Sequence, residues 1–230
     1  MKYLFFSLFS LFALISNAQT NQLDEVQKLI KSFEADKDLA ALSKAQELIV
    51  ELVDKNNNAQ SPKMQLTKAN ILTQAIDNLE LENPIEQCDE VIEAYDSALS
   101  QDARLTFRPQ ILLDIYDSKI KMMNKGNAVY EESDYDLAHQ YYQKSLELND
   151  LEMEYPRVMP RDTSLLFTSG VFANLAGKTD EAIQVFEALV NMEYPREDMY
   201  NYLEKLYTEK GQEAKVAEII KLKEQRYPSK

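Results

Sequence analysis

The amino-acid sequence predicts an all-α fold, an α-solenoid of about five antiparallel helical hairpins stacked in a row. Strong helix formers dominate the 230 residues, and only 4 glycines and 7 prolines are present. Three positions echo 34 residues later, where Gly177, Ala182 and Phe186 are followed by Gly211, Val216 and Ile220. This period is typical of stacked helical hairpins, because one hairpin cannot bury its apolar face alone.

The first 18 residues are expected to be a secretory signal peptide. Lys2 gives a positive start, residues 3–15 are nearly all apolar, and Ser16-Asn17-Ala18 places small residues where a signal peptidase reads. We expect cleavage between Ala18 and Gln19, which leaves a helical-repeat domain at 19–230. The apolar run is short for a membrane span, and an uncleaved anchor is the alternative. The Asn-Ala-Gln ending resembles signal peptides of Gram-negative bacteria, so the expected location is the periplasm or cell envelope.

Helix-start signals define the first two hairpins. The first is predicted at 22–33 and 39–55. The second begins at Ser61-Pro62, an N-cap followed by proline at the first helical position, and extends to about residue 79. Its partner helix begins at Asn83-Pro84, where Glu86 is placed to complete a start similar to a capping box, and ends near residue 100.

The later hairpins follow from apolar spacing and from glycine. The third is predicted at 109–130 and from 135 into the region 148–154, the fourth at 163–176 and 179–191, and the fifth at 196–210 and 212–226. Gly177 and Gly211 fall where first helices must end, and glycine adopts the left-handed conformation needed there. The first helix of the third hairpin carries an apolar stripe at helical spacing, which predicts its core-facing side: Leu112, Ile115, Tyr116, Ile120 and Met123.

The last two units carry small and bulky residues at regular positions. These are Leu166, Ser169-Gly170, Ala173, Ala182, Phe186, Leu189 and Pro195 in the fourth unit, and Tyr200, Leu203, Tyr207, Val216, Ile220 and Pro228 in the fifth. The two sets resemble the pattern of the tetratricopeptide repeat family, which places small residues where paired helices cross closely and aromatic residues in the gaps between hairpins. The third unit keeps Ala138, Tyr142 and Ser145, and the second keeps Val91, Tyr95 and Ala98. The match is best over 163–195 and 196–228, and it implies a right-handed solenoid whose first helices line a concave groove.

The net charge narrows the classes of expected partner, and the cysteine content limits the possible disulfides. The formal net charge of −14 disfavours nucleic acid and anionic membrane surfaces. The single cysteine, Cys88, cannot form an intrachain disulfide. We expect a semi-buried, inert thiol there, with an intermolecular bridge as the alternative.

No sequence pattern for catalysis or metal binding is found. The single histidine, His139, is expected to be exposed on an amphipathic helix, whereas a catalytic triad or zinc site needs several converging groups. The four glycines are scattered, which excludes a phosphate-binding loop. Asp134-Tyr135-Asp136 is expected to cap a helix, since the remaining ligands of a calcium loop are absent. We therefore expect no enzyme activity, no cofactor and no metal.

Two groups of residues are candidates for partner binding. A basic cluster precedes and enters the first helix of the third unit: Arg104, Arg108, Lys119, Lys121 and Lys125. The resemblance would place some of these in the concave groove, where they could bind acidic side chains or a terminal carboxylate. The second group contains Tyr130, Tyr135, Tyr141 and Tyr142, of which Tyr130 is the candidate contact, because tyrosine suits binding surfaces.

The sequence therefore predicts a non-catalytic protein-interaction scaffold in the periplasm or cell envelope that binds a protein or peptide partner through its concave face. Three alternatives stay open: a peptide-binding module with a chaperone-like role, an enzyme or an accessory subunit of an envelope enzyme, and a structural envelope protein that self-associates. The identity of the partner does not follow from the sequence, because architecture alone does not imply function.

Overall fold

The computed structural model describes residues 17–55, 61–153 and 162–228. Within these ranges the chain forms ten α-helices and no strand, so the all-α prediction is confirmed. The helices are α1 Asn17–Asp36, α2 Leu39–Lys55, α3 Pro62–Asn78, α4 Pro84–Gln101, α5 Arg108–Glu131, α6 Tyr135–Met153, α7 Thr163–Leu175, α8 Thr179–Asn191, α9 Asp198–Glu209 and α10 Glu213–Arg226. The predicted apolar stretch of the signal peptide, residues 3–15, lies outside the described residues, as does Tyr155.

The helix-start and helix-stop signals are mostly confirmed. The Ser61 hydroxyl accepts a hydrogen bond from the Met64 N–H at 3.4 Å, and Pro62 is the first helical residue. Gly177 and Gly211 have positive φ angles of 74° and 66°, the left-handed conformation that ends a helix. The capping-box prediction at Asn83 is wrong, because its side chain makes no capping hydrogen bond. Pro84 supports the start of α4 instead, since its ring holds φ near the helical value.

The hairpins lie in serial order. The second and third form the closest unit, with α3 packed against α5 and α4 against α6. The first hairpin joins this unit through contacts of α2 with α3, the fourth through contacts of α6 with α7, and the fifth through contacts of α8 with α9. Three apolar clusters follow one another along this row.

The packing of the last two hairpins is that of a tetratricopeptide-like repeat. Ala182 and Phe186 are fully buried, and the Phe186 ring stacks on Tyr202 of the next hairpin with centroids 4.8 Å apart. Gly170 lies where α7 crosses α8 closely, because a β-carbon there would stand 2.8 Å from Cγ1 of Val185. Small residues at the crossing and an aromatic ring between hairpins were the expected pattern.

The stripe predicted for α5 is wrong at two positions. Tyr116 and Ile120 are exposed, and Leu112 and Met123 are only partly buried. The buried side of α5 instead consists of Ile111, Ile115, Ser118, Lys119, Met122 and Gly126. Helices α3 and α6 approach α5 from two sides and bury the strip between them, which includes polar residues.

The structure also corrects the predicted burial of His139 and Cys88. His139 was expected to be exposed, and it is buried, because α6 packs against α7 and the start of α8 lies beside its imidazole. Cys88 is fully buried in the cluster of the second hairpin, deeper than expected. Burial raises the pKa of the Cys88 thiol to about 12, which agrees with an inert side chain.

Substitution of Ala182 by arginine tests the repeat packing. The larger, charged side chain would be forced into a closed helix crossing, and we expect a loss of at least about 3 kcal/mol in the free energy of unfolding. Thermal unfolding measures the effect. Ala217→Arg on exposed α10 is the control and should leave the midpoint nearly unchanged. An equal midpoint for both variants would contradict the packing described here.

Candidate functional site

Helix α5 has an exposed face between the side that contacts α3 and the side that contacts α6. On one side the Asn70 amide of α3 donates a 2.8 Å hydrogen bond to the Asp114 carboxylate, and on the other Lys119 pairs with Glu152 of α6. The face between these contacts is open to solvent. It belongs to the first helix of the third hairpin.

Three large apolar side chains are exposed on this face of α5. Leu113, Tyr116 and Ile120 are 45%, 42% and 36% exposed. Their spacing of three and four residues places them on one side of the helix, and we call them the α5 row. Exposed apolar side chains that share one face of a helix make this row a candidate interaction site. Sequence patterning could not identify the row, because its helical spacing is the same as that of a buried stripe.

Lys119 supports the α5 row from beneath. Its ammonium lies 5.0 Å from the centroid of the Tyr116 ring and 2.9 Å from Oε2 of Glu152, and both charged side chains are buried. The Asn149 amide also donates to Oε2 of Glu152, at 3.2 Å. Asn149 accepts a hydrogen bond from the backbone N–H of Asp162, so this polar group joins α5, α6 and the residue before α7. Lys119 therefore contacts the tyrosine ring and is largely inaccessible to a partner.

A groove borders the α5 row on the side of α3. It has a volume of about 460 Å³ and is lined by residues of α1, α3 and α5, together with the residue after α1: Phe33, Glu34, Lys37, Gln74, Asp77 and Lys121. Lys121 follows Ile120 directly, and its ammonium lies 3.6 Å from the Asp77 carboxylate. Burial lowers the pKa of Lys121, while the Asp77 carboxylate acts in the opposite direction. First helices of three successive hairpins thus contribute to one open surface.

The structure places the residues of the predicted basic cluster in different environments. Lys121 lines the groove and Lys119 is buried, whereas Arg104 is exposed in the turn between α4 and α5. Arg108 donates a hydrogen bond to the backbone oxygen of Leu99 at 3.1 Å. Lys125 is half-buried one turn beyond Lys121. Buried Lys119 is not placed to contact a partner directly, and a role for the other four residues in partner binding stays a prediction.

The tyrosine group divides into core and surface members. Tyr141 and Tyr142 are buried, and the Tyr142 hydroxyl donates to Asn127 at 2.8 Å. Tyr130 is 42% exposed, and its ring packs edge-on against Phe172 at 5.2 Å between centroids. Tyr135 is also exposed, and the centroid of its ring lies 5.6 Å from that of Tyr130. Tyr130 is therefore accessible at the turn between α5 and α6, away from the α5 row.

His139 lies at the junction of the third and fourth hairpins. Its Nε2 is 3.4 Å from the Glu181 carboxylate and 3.1 Å from the amide nitrogen of Gln143, while its Nδ1 has no hydrogen-bond partner among the described residues. Burial lowers the pKa of His139, and the nearby Lys178 ammonium lowers it further, whereas Glu181 and Asp136 act in the opposite direction. The neutral imidazole is therefore the favoured form in the folded protein.

The described residues contain no cluster suited to metal binding. Within residues 17–55, 61–153 and 162–228, no three His, Cys, Asp or Glu side chains are placed to hold a metal ion. Asp134 caps α6 as expected, since its carboxylate accepts the Leu137 N–H at 3.0 Å. None of the helices in the described part of the chain is long and apolar enough to cross a membrane.

Comparison with known proteins yields structural likenesses only. No protein-family model matches the chain, and no curated protein is detectably similar to it. A solved structure of PilF from Pseudomonas aeruginosa aligns with 93% of this chain and 80% of its own, at 13% identity and a TM-score of 0.37. MamA of strain AMB-1 aligns over 90% and 91% of the two chains, at 16% identity and a TM-score of 0.35. BtubC from P. vanneervenii aligns over 90% and 89%, at 14% identity and a TM-score of 0.41. Likenesses this distant carry no information on function or partner.

Removal of Lys119 tests the buried ion pair. Lys119→Met leaves the Glu152 carboxylate buried without its counter-charge, and we expect a loss of about 3–5 kcal/mol in the free energy of unfolding measured with urea. Lys44→Met is the matched control, because Lys44 pairs with Glu25 at 2.7 Å on the surface, where a pair contributes only about 0–1 kcal/mol. Equal losses of unfolding free energy in the two variants would contradict a larger contribution of the buried pair to stability.

The imidazole of His139 makes stability depend on pH. In the unfolded chain the His139 imidazole binds a proton near the ordinary histidine pKa of about 6.5. In the folded chain it binds that proton only at lower pH, because its pKa is lowered. The unfolded state therefore holds more protons in this window, and stability falls as the pH falls from about 6.5 toward the folded pKa. Urea unfolding at pH 7 and pH 5 measures this. His139→Gln removes the one histidine and should show a smaller loss, and an identical loss would refute the assignment.

Proposed function

We propose that this protein is a non-catalytic interaction scaffold that binds a protein partner through the outward face of its first helices, with the α5 row as the main contact. The exposed row of Leu113, Tyr116 and Ile120 is the observation that supports this function. Interfaces are centred on a few large apolar or aromatic anchors surrounded by polar residues, and the row with its polar neighbours has this composition.

The rigidity of the site favours binding. The Tyr116 ring lies over the ammonium of Lys119, which itself is held by Glu152. A side chain that is already ordered loses little conformational entropy when a partner docks on it. Lys121 in the bordering groove could add a charge-assisted hydrogen bond to a carboxylate of the partner.

The groove supports a second candidate function. Because α1, α3 and α5 all contribute to it, an extended peptide could lie across three hairpins, as expected for a peptide-binding, chaperone-like module. An accessory role beside an envelope enzyme stays an alternative. The proposed location is the periplasm or cell envelope of a Gram-negative bacterium, and it rests on the leader-like sequence of residues 1–18.

Truncation of the α5 row tests the proposed function. The double variant Tyr116→Ala, Ile120→Ala removes two anchors, and loss of a central anchor costs about 2 kcal/mol of binding free energy. We expect the affinity for a partner captured from envelope fractions to fall at least about 30-fold. The thermal midpoint should barely change, since both side chains are largely exposed.

Three variants give the controls for this experiment. Leu222→Ala on α10 removes an apolar side chain with the same 36% exposure as Ile120 and should leave capture intact. Tyr130→Ala, which matches Tyr116 at 42% exposure, tests the turn between α5 and α6 separately. Lys121→Glu tests the groove. Unchanged capture by the double variant would exclude the α5 row as the contact, and loss with Lys121→Glu alone would favour the peptide-binding alternative.

A further inference from the structure

The turn between α4 and α5 is held by one buried carboxylate. Asp102 is almost completely buried, and its carboxylate accepts hydrogen bonds from the backbone N–H groups of Thr106, Phe107 and Arg108 at 2.9, 2.9 and 2.8 Å. The backbone oxygen of Asp102 also accepts from the N–H of Leu105 at 2.9 Å. A carboxylate that caps a helix start in this way fixes the backbone around it. The turn is therefore a rigid platform.

This platform presents a leucine in an unfavourable conformation. Leu105 has a φ angle of +57°, in the left-handed region that disfavours a bulky side chain. It is also 57% exposed, more than any other large apolar residue in the described ranges. At the other left-handed positions of the described chain the residues are glycine or polar: Lys37, Ser133, Gly177, Glu193 and Gly211. Neither the backbone nor internal packing favours leucine here.

The neighbour of Leu105 is a free cation. Arg104 is exposed, and it makes no hydrogen bond or ion pair with the rest of the chain described by the structure. Most other basic side chains nearby are engaged, as Arg108 is with the Leu99 carbonyl and Lys121 with Asp77. The turn thus offers one apolar and one positively charged group side by side on an otherwise acidic protein.

We propose that Leu105 is an anchor residue for a protein partner that offers an apolar pocket with at least one carboxylate at its rim. The leucine fills the pocket, and Arg104 pairs with the carboxylate. Because the turn is already rigid, binding orders few additional groups. Strained residues that surrounding structure holds in place occur often at functional sites, and here the strain coincides with exposure. This contact lies outside the α5 row and does not depend on the function proposed above.

Substitution of Leu105 by glycine tests two effects of this residue separately: its backbone strain and its proposed role as a binding anchor. Leu105→Gly places the residue best suited to positive φ at this position, and we expect the thermal midpoint to rise by about 2–4 °C. The same substitution removes the anchor, and we expect the affinity for the partner to fall at least tenfold. Ser133→Gly is the matched control, because Ser133 is exposed with φ +67° and its replacement relieves similar strain without removing an anchor. It should raise the midpoint and leave binding unchanged.

The partner is identified with the chain itself as probe. A photo-crosslinking amino acid is introduced at position 105, and separately at 133, in the full chain expressed in its source cells. We expect one protein to crosslink from 105 and not from 133, through a segment that contains apolar residues and an Asp or Glu. With that protein purified, Leu105→Gly and Arg104→Glu should both weaken binding.

Four results would overturn the proposal. They are the same crosslinked proteins from both positions, a crosslink only to a second copy of this chain, full affinity of Leu105→Gly for the crosslinked protein, or a lower thermal midpoint for Leu105→Gly. The α5-row variant Tyr116→Ala, Ile120→Ala is measured in parallel. If it loses its partner while Leu105→Gly does not, the anchor proposal fails and the proposed scaffold function stands.

Discussion

Every hairpin of this chain depends on its neighbour for the burial of its apolar face. The three apolar clusters are continuous because shared residues connect them: Val50 packs against the first and second clusters along the chain, and Val129 against the second and third. The chain has no intrachain disulfide, since Cys88 is its one cysteine. Stability therefore comes from repeated side-chain packing, and a change at one helix crossing affects the hairpins on both sides.

Polar groups determine how α5 sits in this row. Asn70 donates to Asp114, Thr73 bonds Ser118, and Lys119 pairs with Glu152, all at the contacts of α5 with its neighbours. Buried polar groups need hydrogen-bonding or charged partners, and the observed rotation of α5 about its axis provides these partners together. That rotation turns Ser118 and Lys119 inward and leaves Leu113, Tyr116 and Ile120 outward. The exposed row is thus a consequence of the same contacts that stabilise the third hairpin.

The two surfaces proposed for binding share a physical basis. Each presents apolar side chains on a support that is ordered before any partner arrives, Lys119 beneath Tyr116 in one case and Asp102 within the α4–α5 turn in the other. Both belong to the third hairpin or to the turn that leads into it. A row of hairpins allows such local surfaces to differ from unit to unit, because each unit needs only its inner face for folding.

Sequence patterns alone predict the helices, their order and the best-defined packing positions. Pro62, Gly177 and Gly211 act through local backbone geometry, which a sequence displays directly. Ala182 and Phe186 act through packing, but they could be identified because they fall at repeated positions of the sequence. Long-range contacts are needed to establish which side of α5 is buried, that His139 is enclosed, and that Leu105 is both strained and exposed. Helical spacing tells which residues share a face. Which face is covered depends on the directions from which α3 and α6 approach, and those directions follow from contacts between residues far apart in the chain.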